Sequence, residues 1–500
     1  METLLANLAH GFYVALSFQN LLFALLGALI GTAIGVLPGI GPVATISLLL
    51  PITFGQPATT AIIMLAGIYY GAQYGGSTTA ILLNLPGEVS SVVTTLEGYK
   101  MARNGRAGAA LATSALGSFF AGSVSTLIVA ASGPLLTSVA LSFGPADYFS
   151  LMLLGLIISS VLAQGSVLKS VAMVVLGVLL GLVGTDVQTG QQRFTFGIAE
   201  LSDGIGFVPV AMGVFGIAEI ILNLERPEAR DVLKTKVGSL WLTKEEWKRA
   251  TPAVLRGTVV GSVLGILPGG GASLASFGSY MMERKMSKGR AQFGNGAIEG
   301  VAGPEAANNA AAQTSFIPLL TLGIPANAVM ALMVGALIIQ GIQPGPRMVE
   351  AQPDLFWGLI CSMWLGNLML LVINLPMIGM WVKLLAVPYR YLYPSILIFC
   401  AIGVYSLNNN VFDVYMTILF TLCGYMFNKL KMEPAPLLIG FVLGPMMEEH
   451  LRRAMLLSRG DPMIFLQRPI SATMLAIAAI ALGLMLMPNL RKGKEEAMAG

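Results

Sequence analysis

The sequence predicts an all-α polytopic membrane protein with about 11 to 13 transmembrane spans, some of them broken or re-entrant, in two inverted structural repeats. Three observations support this prediction. Charged residues make up only 11% of the 500 residues, against about 25% in soluble proteins. They are absent from residues 3–87, 107–146 and 306–346, although about 20 apolar residues already cross the hydrocarbon core. The third observation is a glycine-rich motif that occurs twice.

The repeated motif has the pattern GxxxGxLPGxG. It occupies residues 31–41 and returns 230 residues later at 261–271. Weaker matches follow in the same order along both halves, and this preserved order is typical of an internal duplication. These later matches are Asn84-Leu-Pro-Gly87 opposite Gly323-Ile-Pro-Ala326, and Pro209 with Gly213 opposite Pro436 with Gly440.

A polar segment separates the two repeats. Residues 225–251 are rich in Lys and Arg, so we expect a cytoplasmic linker there. The first membrane repeat is then 15–224 and the second is 252–458. One extra C-terminal transmembrane helix is expected at 471–489.

The distribution of basic loops predicts that the repeats have opposite topology. The loop at 100–106 is basic, whereas its counterpart near 343–354 holds a single arginine. Conversely, 185–203 is neutral to acidic, whereas its counterpart carries lysines near 429–431. Because positive loops face the cytoplasm, equivalent loops of the two halves are expected on opposite sides of the membrane.

The apolar stretches between these loops predict the helices in order. Several are too long, or too interrupted by Gly and Pro, to be single straight spans. The expected helical stretches are 16–37, 57–85, 108–137, 141–163, 166–184, 206–223, 253–268, 305–340, 355–386, 394–407, 411–428, 434–447 and 471–489.

The two LPG sequences predict helix breaks inside the membrane. Proline removes a backbone donor and kinks a helix, and glycine permits unusual backbone angles. Broken backbone in the membrane must line a cavity or be buried in protein, and it offers carbonyls to Na⁺ and helix N-termini to anions. A packing kink is the alternative, but the duplication favours substrate binding. The residues are Pro38, Gly39 and Gly41 in the first half, and Pro268, Gly269, Gly271 and Ser273 in the second.

A second polar cluster follows each break. Hydroxyl and amide groups both donate and accept hydrogen bonds without carrying net charge, so they suit a carboxylate or a hard cation. Packing between membrane helices is the alternative role for such small polar residues. The candidate substrate-binding residues are Ser77, Thr78, Thr79, Asn84, Pro86 and Gly87, and in the second half Asn308, Asn309, Thr314, Ser315, Pro325 and Asn327.

Two acids are candidates for ion coupling. Glu299 and Glu305 lie just before the asparagine pair, and an acid within a membrane segment is a functional candidate by default. A position at the membrane surface, beside the basic residues 284–290, is the alternative. The three cysteines and two histidines have no metal-site spacing, no P-loop lysine follows the glycines, and no nucleophilic triad is visible. We therefore expect no enzyme activity, no metal or other cofactor, and energy from an Na⁺ or H⁺ gradient.

Several long segments resemble the large membrane subunit of the bacterial tripartite tricarboxylate transporters. These are GTAIGVLPGIGPVATISLLLP at 31–51, YYGAQYGGSTTAILLNLPGE at 69–88 and LEGYKMARNGRAGAAL at 96–111, with GSVLGILPGGGASLASFGSYMMERK at 261–285 and the segment 299–337 in the second half. The resemblance extends over about residues 15 to 450.

The resemblance implies an ion-gradient-driven secondary importer of di- and tricarboxylates such as citrate, in the bacterial cytoplasmic (inner) membrane. It also implies a small four-helix membrane subunit and a periplasmic solute-binding protein as partners, with a homodimer possible and no nucleic acid. The alternative function is an autonomous carboxylate symporter or a channel that needs no binding protein.

Overall fold

The predicted all-α membrane fold is confirmed by a computed structural model, which describes residues 2–37, 41–163, 166–186, 188–225, 238–267, 271–287, 292–384 and 389–486. The first half contains α1 (Glu2–Ala15), α2 (Phe18–Val36), α3 (Pro42–Leu49), α4 (Ala58–Leu83), α5 (Val92–Met101), α6 (Ala107–Ala140), α7 (Pro145–Leu162), α8 (Val167–Gly181), α9 (Phe207–Ala211) and α10 (Ala218–Glu225). Short 3₁₀ turns occur at Leu50–Thr53, Val89–Ser91 and Ala199–Asp203, and a π-helical turn occurs at Met212–Ile217. Helices α5 and α6 are joined by a kink at Ala102–Arg106, where Gly105 has a φ of 77°.

The second half has the same helical character. It contains α11 (Lys244–Ile266), α12 (Gly271–Met286), α13 (Glu299–Thr314), α14 (Phe316–Leu322), α15 (Ala328–Ile339), α16 (Met348–Ala351), α17 (Pro353–Asn374), α18 (Ile378–Leu384), α19 (Tyr389–Asn408), α20 (Val411–Lys429), α21 (Ala435–Leu457), α22 (Ile464–Gln467) and α23 (Pro469–Leu486). Within the described ranges, β structure is limited to one antiparallel pair, β1 (Gly184–Thr185) with β2 (Gln192–Arg193).

Six helical segments in the described part of the chain are long and apolar enough to cross a membrane. They are Phe18–Val36, Val89–Ala140, Pro145–Leu162, Phe207–Glu225, Pro353–Asn374 and Val411–Lys429. Shorter apolar helices occur at Leu4–Ala15, Pro42–Thr53, Val167–Gly181, Ala328–Ile339 and Pro469–Gly483. With this many apolar helices, the chain is a multi-pass membrane protein. The count of about 11 to 13 spans stays a prediction.

Glycine stripes hold the two central helix pairs together. Gly27, Gly31 and Gly35 of α2 press against the backbone of α4, and a Cβ added at any of them would lie within 3.0 Å of a carbonyl oxygen. In the second half, Gly257, Gly261 and Gly265 of α11 press in the same way against α13. Small residues let membrane helices approach this closely, so the spacing of the repeated motif is explained by the helix crossing.

Two contacts between the halves are reciprocal: each half supplies one element after its first break and one element after its second break. Helix α3 follows the first break of half one and packs on α15, which follows the second break of half two. Reciprocally, α12 follows the first break of half two and packs on the turn Val89–Ser91, which follows the second break of half one. The two contacts are therefore equivalents of each other, and the inverted arrangement of the halves stays a prediction. The direction of the halves relative to a membrane stays a prediction.

The later, weaker matches occupy equivalent packing positions as well. Gly213 lies against α20, where an added Cβ would be 2.7 Å from the Thr417 carbonyl oxygen. Gly440 lies against α8, where the nearest atom would be the Val174 carbonyl oxygen at 2.5 Å. Both glycines therefore allow a close crossing with a helix of the opposite half.

Two features of the fold were not expected from the sequence. Helix α1 precedes the predicted first repeat and packs on α17, where Gly11 meets the Trp357 backbone. Helix α11 begins at Lys244, inside the segment predicted as linker, where Thr243 accepts a hydrogen bond from the Glu246 backbone N–H at 3.2 Å. This capping box specifies the start of the helix.

Candidate functional site

A helix break follows the repeated motif in each half. In the first half, α2 stops at Val36 and α3 starts at Pro42, with Gly41 as its N-terminal flanking residue. In the second half, α11 stops at Ile266 and α12 starts at Gly271. Pro38, Gly39, Pro268 and Gly269 fall between these helices and lie outside the described residues.

The second break of each half also has matched geometry. Asn84, directly after α4, has a left-handed φ of 58°, and Gly323, directly after α14, has a left-handed φ of 73°. Gly41 lies beside Gly87 and Glu88, whereas Gly271 lies beside Asn327. In each half, therefore, the LPG break meets the residues that follow the second break.

Glu305 is the centre of a buried hydroxyl cluster. Its carboxylate accepts hydrogen bonds from Ser77 at 2.6 Å, from Ser114 at 3.0 Å and from Thr94. Its exposed fraction is only 1%. These hydroxyls come from α4, α5 and α6, so a single acid of the second half is enclosed by three helices of the first.

Glu88 joins the same region through two amides. The Nδ2 of Asn308 donates a hydrogen bond to the Oε1 of Glu88 at 3.1 Å. The Nε2 of Gln73 donates one to the Oδ1 of Asn308, also at 3.1 Å. Glu88 also packs against Gly76, which is the neighbour of Ser77 on α4. The side chains of Glu88 and Glu305 thus contact adjacent residues of one helix.

Two reciprocal contacts connect the breaks to the opposite half. Glu88, after the second break of half one, bonds to Asn308 of α13. Helix α15, which begins directly after Asn327, packs on α4 of half one. Since Asn327 follows Gly323 just as Glu88 follows Asn84, the two contacts are equivalents across the repeat.

A small cavity lies beside the hydroxyl cluster. Its volume is about 10 Å³, which is room for about one water molecule. Tyr74, Thr78, Ser114 and Asn374 contribute its polar lining. The Tyr74 hydroxyl and the Asn374 carbonyl oxygen are buried and have no hydrogen-bond partner among the described residues.

Other buried acids have compensating partners. Arg249 forms a two-fold hydrogen bond with Glu299, at 2.8 and 2.6 Å, and Arg256 forms the same fork with Glu283. Glu97 has no such arginine, but it accepts hydrogen bonds from Tyr280 and from backbone N–H groups of residues 294–297. Paired in this way, a buried charge is tolerated.

The structure separates the predicted candidates into groups. Ser77, Asn308 and Glu305 meet in one network, and Asn309 adjoins it through a 2.7 Å hydrogen bond to Ser118. Glu299 lies outside this network and is paired with Arg249.

The remaining candidates mostly support local structure. Thr78 and Thr314 bond within their own helices, Ser315 bonds to the Ala312 carbonyl, and Thr79 donates to the Val36 carbonyl oxygen at 2.7 Å. Asn327 caps α15 by accepting from the Met330 N–H at 3.0 Å. Ser273 is half-buried in the first turn of α12, and Pro86 and Pro325 lie in the second breaks.

Sequence reasoning missed Glu88, Gln73, Thr94 and Ser114 as members of the network. A signal for Glu88 was present, because it is the first charged residue after Glu2 and directly follows a helix break. Gln73, Thr94 and Ser114 gave no comparable signal, since nothing local distinguishes them from other polar residues of apolar helices.

The loop between α8 and α9 is held by a separate set of charges. Arg452 contacts Asp186 at 2.7 Å, and Arg193 contacts Glu448 at 2.8 Å. Hydrogen bonds from the Gln188 backbone N–H and from Arg452 lower the pKa of Asp186 to about 2, against a smaller effect of burial. Charge pairs therefore fasten this loop to α21, far from the hydroxyl cluster along the chain.

Comparisons with known proteins give a consistent result. The model of the tripartite tricarboxylate transporter TctA family matches residues 21–439. An uncharacterized 52.8 kDa protein of the TAR-I ttuC' 3' region of Agrobacterium vitis is 59% identical over 496 residues, covering 99% of each chain. An uncharacterized protein of the TAR-II ttuC' 3' region of the same organism is 61% identical over 236 residues, which are 47% of this chain and 98% of that protein. No solved structure matches.

Proposed function

Because the chain belongs to the tripartite tricarboxylate transporter TctA family, we propose that it is the permease subunit of an ion-gradient-driven importer of di- or tricarboxylates such as citrate. The family is one of transporters rather than enzymes. The proposed location is the bacterial inner membrane. The proposed partners are a small four-helix membrane subunit and a periplasmic solute-binding protein that delivers the substrate.

The observation that carries this proposal is the meeting of helix breaks from both halves. Gly41 lies beside Glu88, Gly271 lies beside Asn327, and the helices after the breaks pack across the repeats. Discontinuous helices in corresponding places of two repeats are typical of substrate sites in secondary transporters. A packing kink would not need to occur twice in each half and in reciprocal contact.

We propose that the substrate carboxylates bind at these breaks. The N-termini of α3 and α15 present first-turn backbone N–H groups and the positive ends of helix dipoles, which favour anions. Asn84 is exposed at the end of α4 and supplies an amide donor. No arginine or lysine is required in this arrangement, because helix N-termini and amides hold a carboxylate and a co-transported cation balances its charge.

The energy source in this proposal is a gradient of Na⁺ or H⁺. Glu305 is the coupling candidate that the structure favours over Glu299. Glu305 is enclosed by hydroxyls, whereas the charge of Glu299 is already balanced by Arg249. A carboxylate with a permanent arginine partner has little freedom to bind and release a cation.

The decisive experiment is uptake of radiolabelled citrate into proteoliposomes. The vesicles contain this chain and its small subunit, with an imposed Na⁺ or H⁺ gradient, in the presence or absence of the binding protein. Gradient-driven uptake that needs all three components supports the proposal. Uptake without the binding protein supports an autonomous symporter, and uptake that ignores both gradients supports a channel. Vesicles that take up no di- or tricarboxylate under either gradient would refute the proposed function.

A further inference from the structure

Glu305, which is buried, and Glu88, which is half-buried, differ from the other acids of the interior by their surroundings. Neither has an ion pair with Lys or Arg among the described residues, whereas Glu283 and Glu299 each have an arginine. Glu97, also without an arginine, is held by three backbone N–H groups and a tyrosine hydroxyl. An ionised carboxylate in a low-dielectric interior needs a positive partner, so Glu88 and Glu305 lack a balancing charge.

Hydroxyl oxygens surround Glu305, and Glu88 accepts hydrogen bonds from the Ser90 hydroxyl and the Asn308 amide. The hydroxyls around Glu305 belong to Ser77, Thr94 and Ser114. The Oδ1 of Asn308 lies one turn away on the same helix, within hydrogen-bond distance of Gln73. Oxygen is the ligand that hard cations prefer. The cluster thus has the composition of a cation site formed by helices of both halves.

An independent observation comes from Gln73. Its side chain is fully buried, with 0% exposure. Its amide nitrogen donates to Asn308, yet its carbonyl oxygen has no hydrogen-bond partner within the described ranges. The amide nitrogen and oxygen are joined to the same carbon, so the unpaired oxygen belongs to the network that reaches Glu88. A buried acceptor left unpaired is unfavourable unless a ligand uses it.

We propose that Glu88 and Glu305, with the Ser77 and Thr94 hydroxyls and the Gln73 carbonyl oxygen, bind a Na⁺ ion. Its role in driving transport rests on the proposed function, whereas the binding itself does not. A monovalent ion fits because most of the ligands are neutral and the described residues include no group of three or more acidic, His or Cys side chains suited to a metal. Divalent cations with many carboxylate ligands would need such a group.

The position of the site explains how Na⁺ and substrate are coupled. Glu88 directly follows Gly87, which lies at the break where the substrate is proposed to bind. Without a cation, two carboxylates would repel an anionic substrate, and this repulsion is strong in a low dielectric. A bound Na⁺ removes that repulsion, so the substrate binds more tightly. By reciprocity, the substrate raises the affinity for Na⁺ by the same factor.

Direct binding of radioactive Na⁺ to the purified full-length chain tests this proposal without any transport. We expect saturable binding that excess Na⁺ displaces and excess K⁺ or choline does not. Glu305→Gln and Glu88→Gln keep the side-chain shape but remove the charge, and each should weaken binding at least about tenfold. Glu350→Gln changes an exposed acid and is the matched control, with unchanged binding expected.

A second pair of measurements keeps the result interpretable. If Glu305→Gln cannot be purified as a monodisperse protein, Ser77→Ala removes one proposed hydroxyl ligand while Glu305 keeps its hydrogen bonds from Thr94 and Ser114, and it should also weaken Na⁺ binding. Unchanged Na⁺ affinity in the acid variants, or no Na⁺ binding by a wild-type chain that transports, would overturn the site. In both cases the proposed function would stand. Intact Na⁺ binding without any carboxylate uptake would instead remove the proposed function and leave the site.

Discussion

Replacing Gly31 by alanine is predicted to loosen the central crossing of α2 and α4. An added Cβ would lie within 3.0 Å of the carbonyl oxygen, the Cα and the carbonyl carbon of Ile68. These are backbone atoms of a residue with 0% exposure, so no side-chain rotation can relieve the contact. Overpacking of this kind lowers the free energy of unfolding by about 1–3 kcal/mol. Because the clash is with backbone atoms, we expect the loss for Gly31→Ala to be near the upper end of this range.

The higher helix propensity of alanine offsets part of this loss of stability. Alanine is better than glycine inside a helix by about 1 kcal/mol, which leaves a net loss of about 2 kcal/mol, or roughly 30-fold in the folding equilibrium. The assay heats purified protein in detergent and measures the fraction that stays monodisperse by size-exclusion chromatography, at one fixed heating rate. Gly31→Ala should lower the midpoint temperature.

Two further variants show whether the reasoning about the crossing is correct. Gly261→Ala, at the matching position of the second half, should lower the midpoint by a similar amount. Gly483→Ala, in α23, has open space around the added methyl group and should be neutral or slightly stabilising. If Gly31→Ala and Gly483→Ala shift the midpoint equally and in the same direction, the close crossing does not determine stability.

Three other predictions concern charges and the site. Arg256→Ala leaves Glu283 buried without its partner and should reduce stability by about 3–5 kcal/mol, measured as a large drop in the same midpoint; a loss below about 1 kcal/mol would contradict the pairing. Asn309→Ala breaks the hydrogen bond to Ser118 and should reduce citrate uptake at normal expression, so unchanged uptake would remove Asn309 from the site. Asp186 has a folded pKa of about 2, below its ordinary value of 3.8, so its stabilising effect is present above pH 3.8 and is lost only as the pH falls towards 2. The midpoint difference between wild type and Asp186→Asn should therefore be constant from pH 7 to 5, and a difference that vanishes in that range would refute the lowered pKa.

Local patterns accounted for much of the fold. The charge-free stretches predicted the apolar helices, and the long helix α4 lies almost where the sequence placed it. The motif at 31–41 and 261–271 predicted equivalent helix breaks, which the structure places at equivalent contacts. Helix α1 was missed because its apolar pattern is short and broken by a histidine and by polar residues.

The functional cluster was predicted only in part. Ser77, Asn308 and Glu305 were identified because polar residues in apolar helices are conspicuous. Glu88 was noted only as the last residue of a motif. Glu299 and Glu305 were treated as equal candidates for ion coupling. The difference between the two glutamates is Arg249, which lies 50 residues before Glu299, and no local pattern shows which of them that arginine reaches.

The sequence by itself determined the class of fold, the duplication and the family, because hydropathy, charge distribution and motif spacing are properties of neighbouring residues. Only the tertiary structure decided which buried acids are balanced and which are not. Glu88 meets Asn308 across 220 residues of sequence, and Ser77 meets Glu305 across 228. Such contacts depend on how the glycine-lined helix pairs pack, so the enclosed oxygen cluster exists only once both halves are in place.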